Sequence, residues 1–250
     1  QGEADILPYD DGSGERFISL DSRLINLDAT AVTRGLTTSD TLGDLVDAGG
    51  ANYDGFVPTI FDQSLNGNNF LQGTAIFQGK IINEGALILE NGKPIIRRSL
   101  NNDGGYINSG LDFSADSNIY GWYYIGKNNV NLSCTVATPT GSGDGFHFSQ
   151  SGVSATSIAN ANISNLALNG SPWVLNPTRA QAYTDLQLHF LLASDCQFNF
   201  SQAGYTLGYR IATNPAGFGM TDFQEHILYP STSYKSSIQT NINNAFSIYP

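Results

Sequence analysis

From Phe56 to Ile107 the chain alternates short apolar runs with clusters of Asn, Gly, Asp and Pro. Ile60-Phe61 gives way to Asp62-Gln63-Ser64, Ile81-Ile82 closes on Asn83, and Leu89-Glu90 closes on Asn91-Gly92. Runs this short, punctuated in this way, predict successive β-strands joined by tight turns. The pattern places strands at 57–61, 69–77, 79–83, 86–90, 94–98, 119–126, 130–137, 145–149, 163–168, 186–193 and 205–211. Turn signals recur every ~8–12 residues, which favours an all-β sandwich over βαβ units. Residues 18–38 read as one or two further strands.

Two stretches carry a different period. Leu42, Leu45 and Val46 recur at helical spacing after Ser39, a capping residue, and before Gly49-Gly50, so a short helix is predicted near 40–48. Near the end, Phe218 to Tyr229 reads as a turn feeding a final strand, which Pro230 stops. Ser231 then opens an amphipathic helix near 231–246, with Tyr234, Ile238, Ile242, Ala245 and Phe246 on one face. Residues 1–17 are polar and turn-rich and read as an N-terminal arm or linker. The remainder, 18–250, reads as one domain.

Several phrases carry a family resemblance: Ile60-Phe61-Asp62-Gln63-Ser64-Leu65-Asn66-Gly67-Asn68, Gln78-Gly79-Lys80-Ile81 and Asn91-Gly92-Lys93-Pro94. With the closing strand, Tyr229-Pro230-Ser231 and the amphipathic helix, they resemble the concanavalin A-like lectin/glucanase superfamily. The match is to its LamG-like jelly rolls of secreted bacterial proteins and phage appendages, over roughly residues 18–250. The resemblance implies a concanavalin A-like jelly-roll β-sandwich at an extracellular, cell-surface or virion-surface location. It implies a non-catalytic carbohydrate-binding or adhesion module whose partner is a glycan or polysaccharide. The alternative is a structural or receptor-binding virion component, a tail appendage or capsid decoration, with virion or cell-surface assembly partners. A glycoside hydrolase stands third, since this fold hosts both chemistries.

Composition narrows these classes. Hydrophobic residues make up 40% of the chain, enough for a sizeable core. The net charge of −11 repels phosphate backbones and anionic lipid, which argues against nucleic acid and membrane surfaces as partners. No apolar run approaches the ~20 residues of a membrane-spanning helix. Cys134 and Cys196 each lie in a strand-like run; neighbouring strands would bring them into disulfide range, and two buried thiols are the equal alternative. Neither has a second Cys or a His at metal-ligand spacing.

Catalytic signatures are missing from the sequence. The glucanase branch carries Glu-x-Asp-x-x-Glu on one strand, and no acidic residues here have that spacing. The nearest pair, Asp222 and Glu225, is expected on opposite strand faces because side chains alternate. No Gly-x-Ser-x-Gly elbow occurs, and His147, His189 and His226 each sit among alternating apolar residues, as hydrogen-bonded strand histidines do.

The aromatic peak is Ile119-Tyr120-Gly121-Trp122-Tyr123-Tyr124-Ile125. Alternation puts Tyr120, Trp122 and Tyr124 on one face; if Ile119 and Ile125 mark the core face, the three rings form an outer platform for sugars. The competing reading packs them under a loop, against the terminal helix or in the core. Trp173 is a second candidate sugar contact, or a plug over the sandwich edge. Calcium, which many members of the resembled family bind at loop ends, has two oxygen-rich candidate loops, Asp10 to Glu15 and Gly141 to Gly145. Neither has the spacing of a complete calcium loop. Asp62 and Asn66-Gly67 are assigned to turn formation.

Overall fold

The computed structural model describes residues 4–7, 9–10, 16–17, 21–62, 67–97, 106–108, 119–128, 134–139, 146–148, 163–174, 177–197, 205–207 and 221–250. Its strands pair antiparallel throughout, and the fold is largely β. Two sheets dominate. One has five strands in the order Ser171–Pro172, Ile163–Leu168, Phe190–Gln197, Ile119–Asn128 and Thr221–Tyr229. The other has six, in the order Phe146–Phe148, Cys134–Pro139, Tyr205–Leu207, Tyr106–Asn108, Phe70–Leu71 and Thr59–Ile60.

The main core draws on both sheets. Tyr106, Ile60 and Phe70 from the six-stranded sheet meet Trp122, Tyr124, Phe190, Leu192 and Phe223 from the five-stranded one. The opposite face of the five-stranded sheet is covered as well. There the helix Lys235–Phe246 lays Ile238, Ile242 and Phe246 over Tyr123, Ile125, Leu191 and Ala193. The central strand, Ile119–Asn128, is therefore buried on both faces from Gly121 to Gly126. A strand covered on two sides reads as a continuous apolar run, which is the physical reason for the aromatic peak.

A second cluster holds the N-terminal half. The helix Leu42–Gly49 buries Leu42, Leu45 and Val46 against Leu24, Ile81 and Ile82. Its cap is Thr41, not Ser39: the Thr41 hydroxyl accepts from Asp44 N–H, and the Asp44 carboxylate accepts from Thr41 N–H, a capping box. The terminal helix likewise starts later than expected, at Lys235, after a turn through 231–234.

Other boundaries moved for local reasons. The stretch 18–38, read as strands, holds among its described residues the strand Arg23–Ile25 and then a helical turn, Ala29–Thr33, capped by the Asp28 carboxylate. Within 69–77 only Phe70–Leu71 is extended; Ala75–Phe77 is a 3-10 turn. Helix Arg179–Leu186 occupies the start of the expected 186–193 strand, which instead runs Phe190–Gln197. Within the segment expected as an arm, Asp5–Leu7 pairs with Arg23–Ile25, and Ile6 packs against the second cluster.

The 221–229 strand has an irregularity with consequences. Ile125 pairs with Glu225 and Gly126 with Phe223, so Gln224 is an extra residue opposite one step of the central strand. This is a β-bulge. Asp222 pairs with Lys127 and Glu225 with Ile125, and positions 125 and 127 share a face. Asp222 and Glu225 therefore project to the same side, contrary to simple alternation.

Candidate functional site

The expected sugar platform is not at the surface. Trp122 is 0% and Tyr124 1% exposed, both inside the main core, while Tyr120 is half-buried against it. Trp122 stacks on Tyr124 and is met by the His226 ring at 5.3 Å. A sugar cannot reach a ring face closed in this way, so Trp122 and Tyr124 are core residues. The six-stranded sheet covers this face and the terminal helix covers the Tyr123 and Ile125 face, so both faces of the strand are interior. Trp173 is also committed: its indole N–H donates to Asp185 at 2.8 Å, and its ring packs on the main core.

The spread of acidic groups leaves no bare carboxylate pair at the bulge. Asp222 is 1% exposed and bonded by Arg97 Nε at 3.1 Å. Glu90 holds Lys127 through both carboxylate oxygens at 3.0 Å. Among the described residues no group of three or more His, Cys, Asp or Glu is placed to hold a metal ion. The loops 11–15 and 141–145 lie outside the described residues, as does the side chain of Asp10. Asp62 performs its turn role, accepting from Asn68 N–H at 2.9 Å, and Gly67 takes φ +77°.

Of the histidines, His226 donates Nδ1–H to the Tyr123 carbonyl at 2.8 Å. The residue keeps some surface, but Nε2 has almost none, and burial lowers its pKa to about 4. His189 is buried, and burial lowers its pKa as well. The side chain of His147 lies outside the described residues. Cys196 carries a buried free thiol, pushed up to about 12 by burial and by the neighbouring Asp195 charge. Its strand lies in the five-stranded sheet, and the strand bearing Cys134 lies in the other.

A constellation that sequence reading missed lies at one end of the helix-covered face. Gly121 on the central strand pairs with Asp195 on one side and Tyr229 on the other. Asp195 is bonded at one oxygen by Lys235 Nζ (2.9 Å) and at the other by Asn165 Nδ2 (2.6 Å). Lys235 also donates to the Asn165 carbonyl at 2.6 Å, closing a triangle. Next to Lys235, Tyr234 meets Tyr229 edge-to-face at 5.9 Å, and both rings are exposed, at 57% and 38%.

Between them, the Tyr123 hydroxyl leans over Gly121, where a Cβ would lie 2.8 Å from it. That hydroxyl is buried and has no hydrogen-bond partner among the described residues; burial and the Asp195 charge raise its pKa to about 12. Of this site the sequence pattern shows Tyr123 and Tyr229 in strands and Tyr234 on the apolar face of the terminal helix, but not that they meet. No family model matches this chain, and neither a curated protein nor a solved structure matches it.

Proposed function

We propose that the chain is a non-catalytic glycan-binding or adhesion module, displayed outside the cell or on a virion, on a concanavalin A-like jelly-roll scaffold. One observation carries the reading: the exposed Tyr229–Tyr234 pair beside the Asp195–Asn165–Lys235 triangle. Ring faces take the C–H side of a sugar, and fixed carboxylate, amide and ammonium groups orient its hydroxyls. The buried Tyr123 hydroxyl beneath, without a partner among the described residues, is a place where an internal water would complete a hydrogen bond. The family resemblance of the turn phrases supports the same scaffold and the same ligand class. Asp222 and Glu90 are already neutralised by cations, which fits binding better than acid–base work.

The test is a glycan and polysaccharide screen, with and without EDTA, on wild type, Tyr229→Ala and Tyr234→Ala. Binding lost in either variant, with unchanged folding, supports the site. Loss with EDTA adds calcium. Absence of all glycan binding, together with a fixed oligomer in light scattering, moves the reading to a structural virion component.

A further inference from the structure

At the opposite end of the same sheet face, the tight turn Asn91-Gly92 joins the strands Leu89–Glu90 and Lys93–Pro94, with φ of +48° and +75°. The Asn91 side chain reaches the end of the terminal helix. Its Nδ2 lies 2.7 Å from the Ser247 carbonyl, 3.2 Å from the Phe246 carbonyl and 3.1 Å from His189 Nδ1. We propose that Asn91 and His189 form a proton-operated latch between this hairpin and the terminal helix.

The argument rests on donors and acceptors. Carbonyl oxygens only accept, so the two carbonyls fix the Asn91 amide with its NH2 toward them. That NH2 also faces His189 Nδ1, which must then be the unprotonated nitrogen, with the ring proton on Nε2. Nε2 is buried and faces the Gln224 side chain. Gln224, the bulged residue, gives its own amide NH2 to the Lys93 and Pro94 carbonyls; its oxygen, like His189 Nε2, is buried with no hydrogen-bond partner among the described residues. Four elements thus meet in one neutral arrangement.

Protonating His189 turns Nδ1 into a donor pointed at the donating amide. Flipping Asn91 would relieve that clash but set its oxygen against two carbonyl oxygens. No orientation of the amide satisfies both partners once the imidazole is charged, so the hairpin–helix contact must open. The groups facing the ring, among the described residues, are Glu90 from the hairpin, Lys127 from the central strand, the uncharged Gln224 and the edge of the Phe246 ring. Glu90 favours the charged imidazole and Lys127 opposes it, but the two form an ion pair at 3.0 Å, and desolvation is the largest influence on the ring. The latch therefore opens below the ordinary histidine range.

Hydrogen exchange of the full chain at pH 7.5 and pH 4.5, corrected for intrinsic rates, tests this. The expected result is about tenfold faster exchange over residues 243–249 at the lower pH. In His189→Gln, which has no proton to gain there, the pH step is lost. No step in wild type, or an equal step in His189→Gln, overturns the proposal. Should that variant fail to fold, an NMR titration of wild type decides. The His189 ring and the Asn91 side-chain amide must shift with one common midpoint, and an Asn91 amide that does not follow His189 overturns the latch.

Discussion

Trp122 and Tyr124 lie with ring centroids 6.0 Å apart and planes 10° from parallel, sealed between the two sheets. The stack is a structural element. Trp122→Ala should therefore lose about 3–5 kcal/mol of stability in a denaturant titration, as large-to-small changes in a packed core do. Any glycan binding that remains in the folded fraction should be unchanged. A folded Trp122→Ala of normal stability that has lost binding would restore the platform reading.

Acid should weaken the fold before the carboxylates titrate. His226 and His189 both have pKa values lowered by burial, His226 to about 4. Between the unfolded value near 6.5 and the folded value, the unfolded chain binds more protons, so stability falls as pH falls. Their contribution is complete above about pH 6.5 and is lost progressively down to about pH 4 for His226. Thermal midpoints measured from pH 7.5 to 4 should show this decline, and His226→Asn, if folded, should flatten it. A flat wild-type profile counts against both assignments.

Gly126 is pinned by its neighbour across the sheet. A Cβ there would press into the backbone carbonyl of Asp222, which cannot swing away as a side chain would. Gly126→Ala should cost about 2–3 kcal/mol by overpacking. Far-ultraviolet circular dichroism during urea unfolding would check it. An unaffected midpoint would mean that the strands separate freely at the bulge.

Lys235 neutralises Asp195, and their side chains are only 17% and 11% exposed. Lys235→Met should destabilise by about 3 kcal/mol, because it strands a nearly buried carboxylate. Adding Asp195→Asn should recover part of that loss, which a double-mutant cycle measures. Recovery would separate the charge effect from any direct sugar contact, since glycan binding should stay impaired in the double variant.

Strand existence was largely legible in the sequence, because turn chemistry is local. Gly79–Asn83 and Ile163–Leu168 have the bounds that their flanking turn residues predict, and Asn91-Gly92 adopts the left-handed pair of dihedrals that its residues favour. The helix Ala29–Thr33 was not legible, since its β-branched residues favour strands and only the Asp28 cap and its packing under Leu24 overrule them. The site was hidden for a longer-range reason. Whether the second face of the central strand is covered depends on where the terminal helix lands, and no local pattern encodes that docking. Asp195, Asn165 and Lys235 are separated by 30 to 70 residues and meet only through the placement of three elements.

The single extra residue Gln224 works as a phase shifter along its strand. Residues after it and residues before it are read in opposite parity, so carboxylates at odd spacing share one side of the sheet. Deleting Gln224 would close the bulge into a regular ladder and leave Phe223 opposite Gly126 and Asp222 opposite Lys127, each on the face it now occupies. The bulge is thus a point where the strand can shorten by one residue without exchanging its two surfaces, at the cost of the bonds that Gln224 makes to the Lys93 and Pro94 carbonyls.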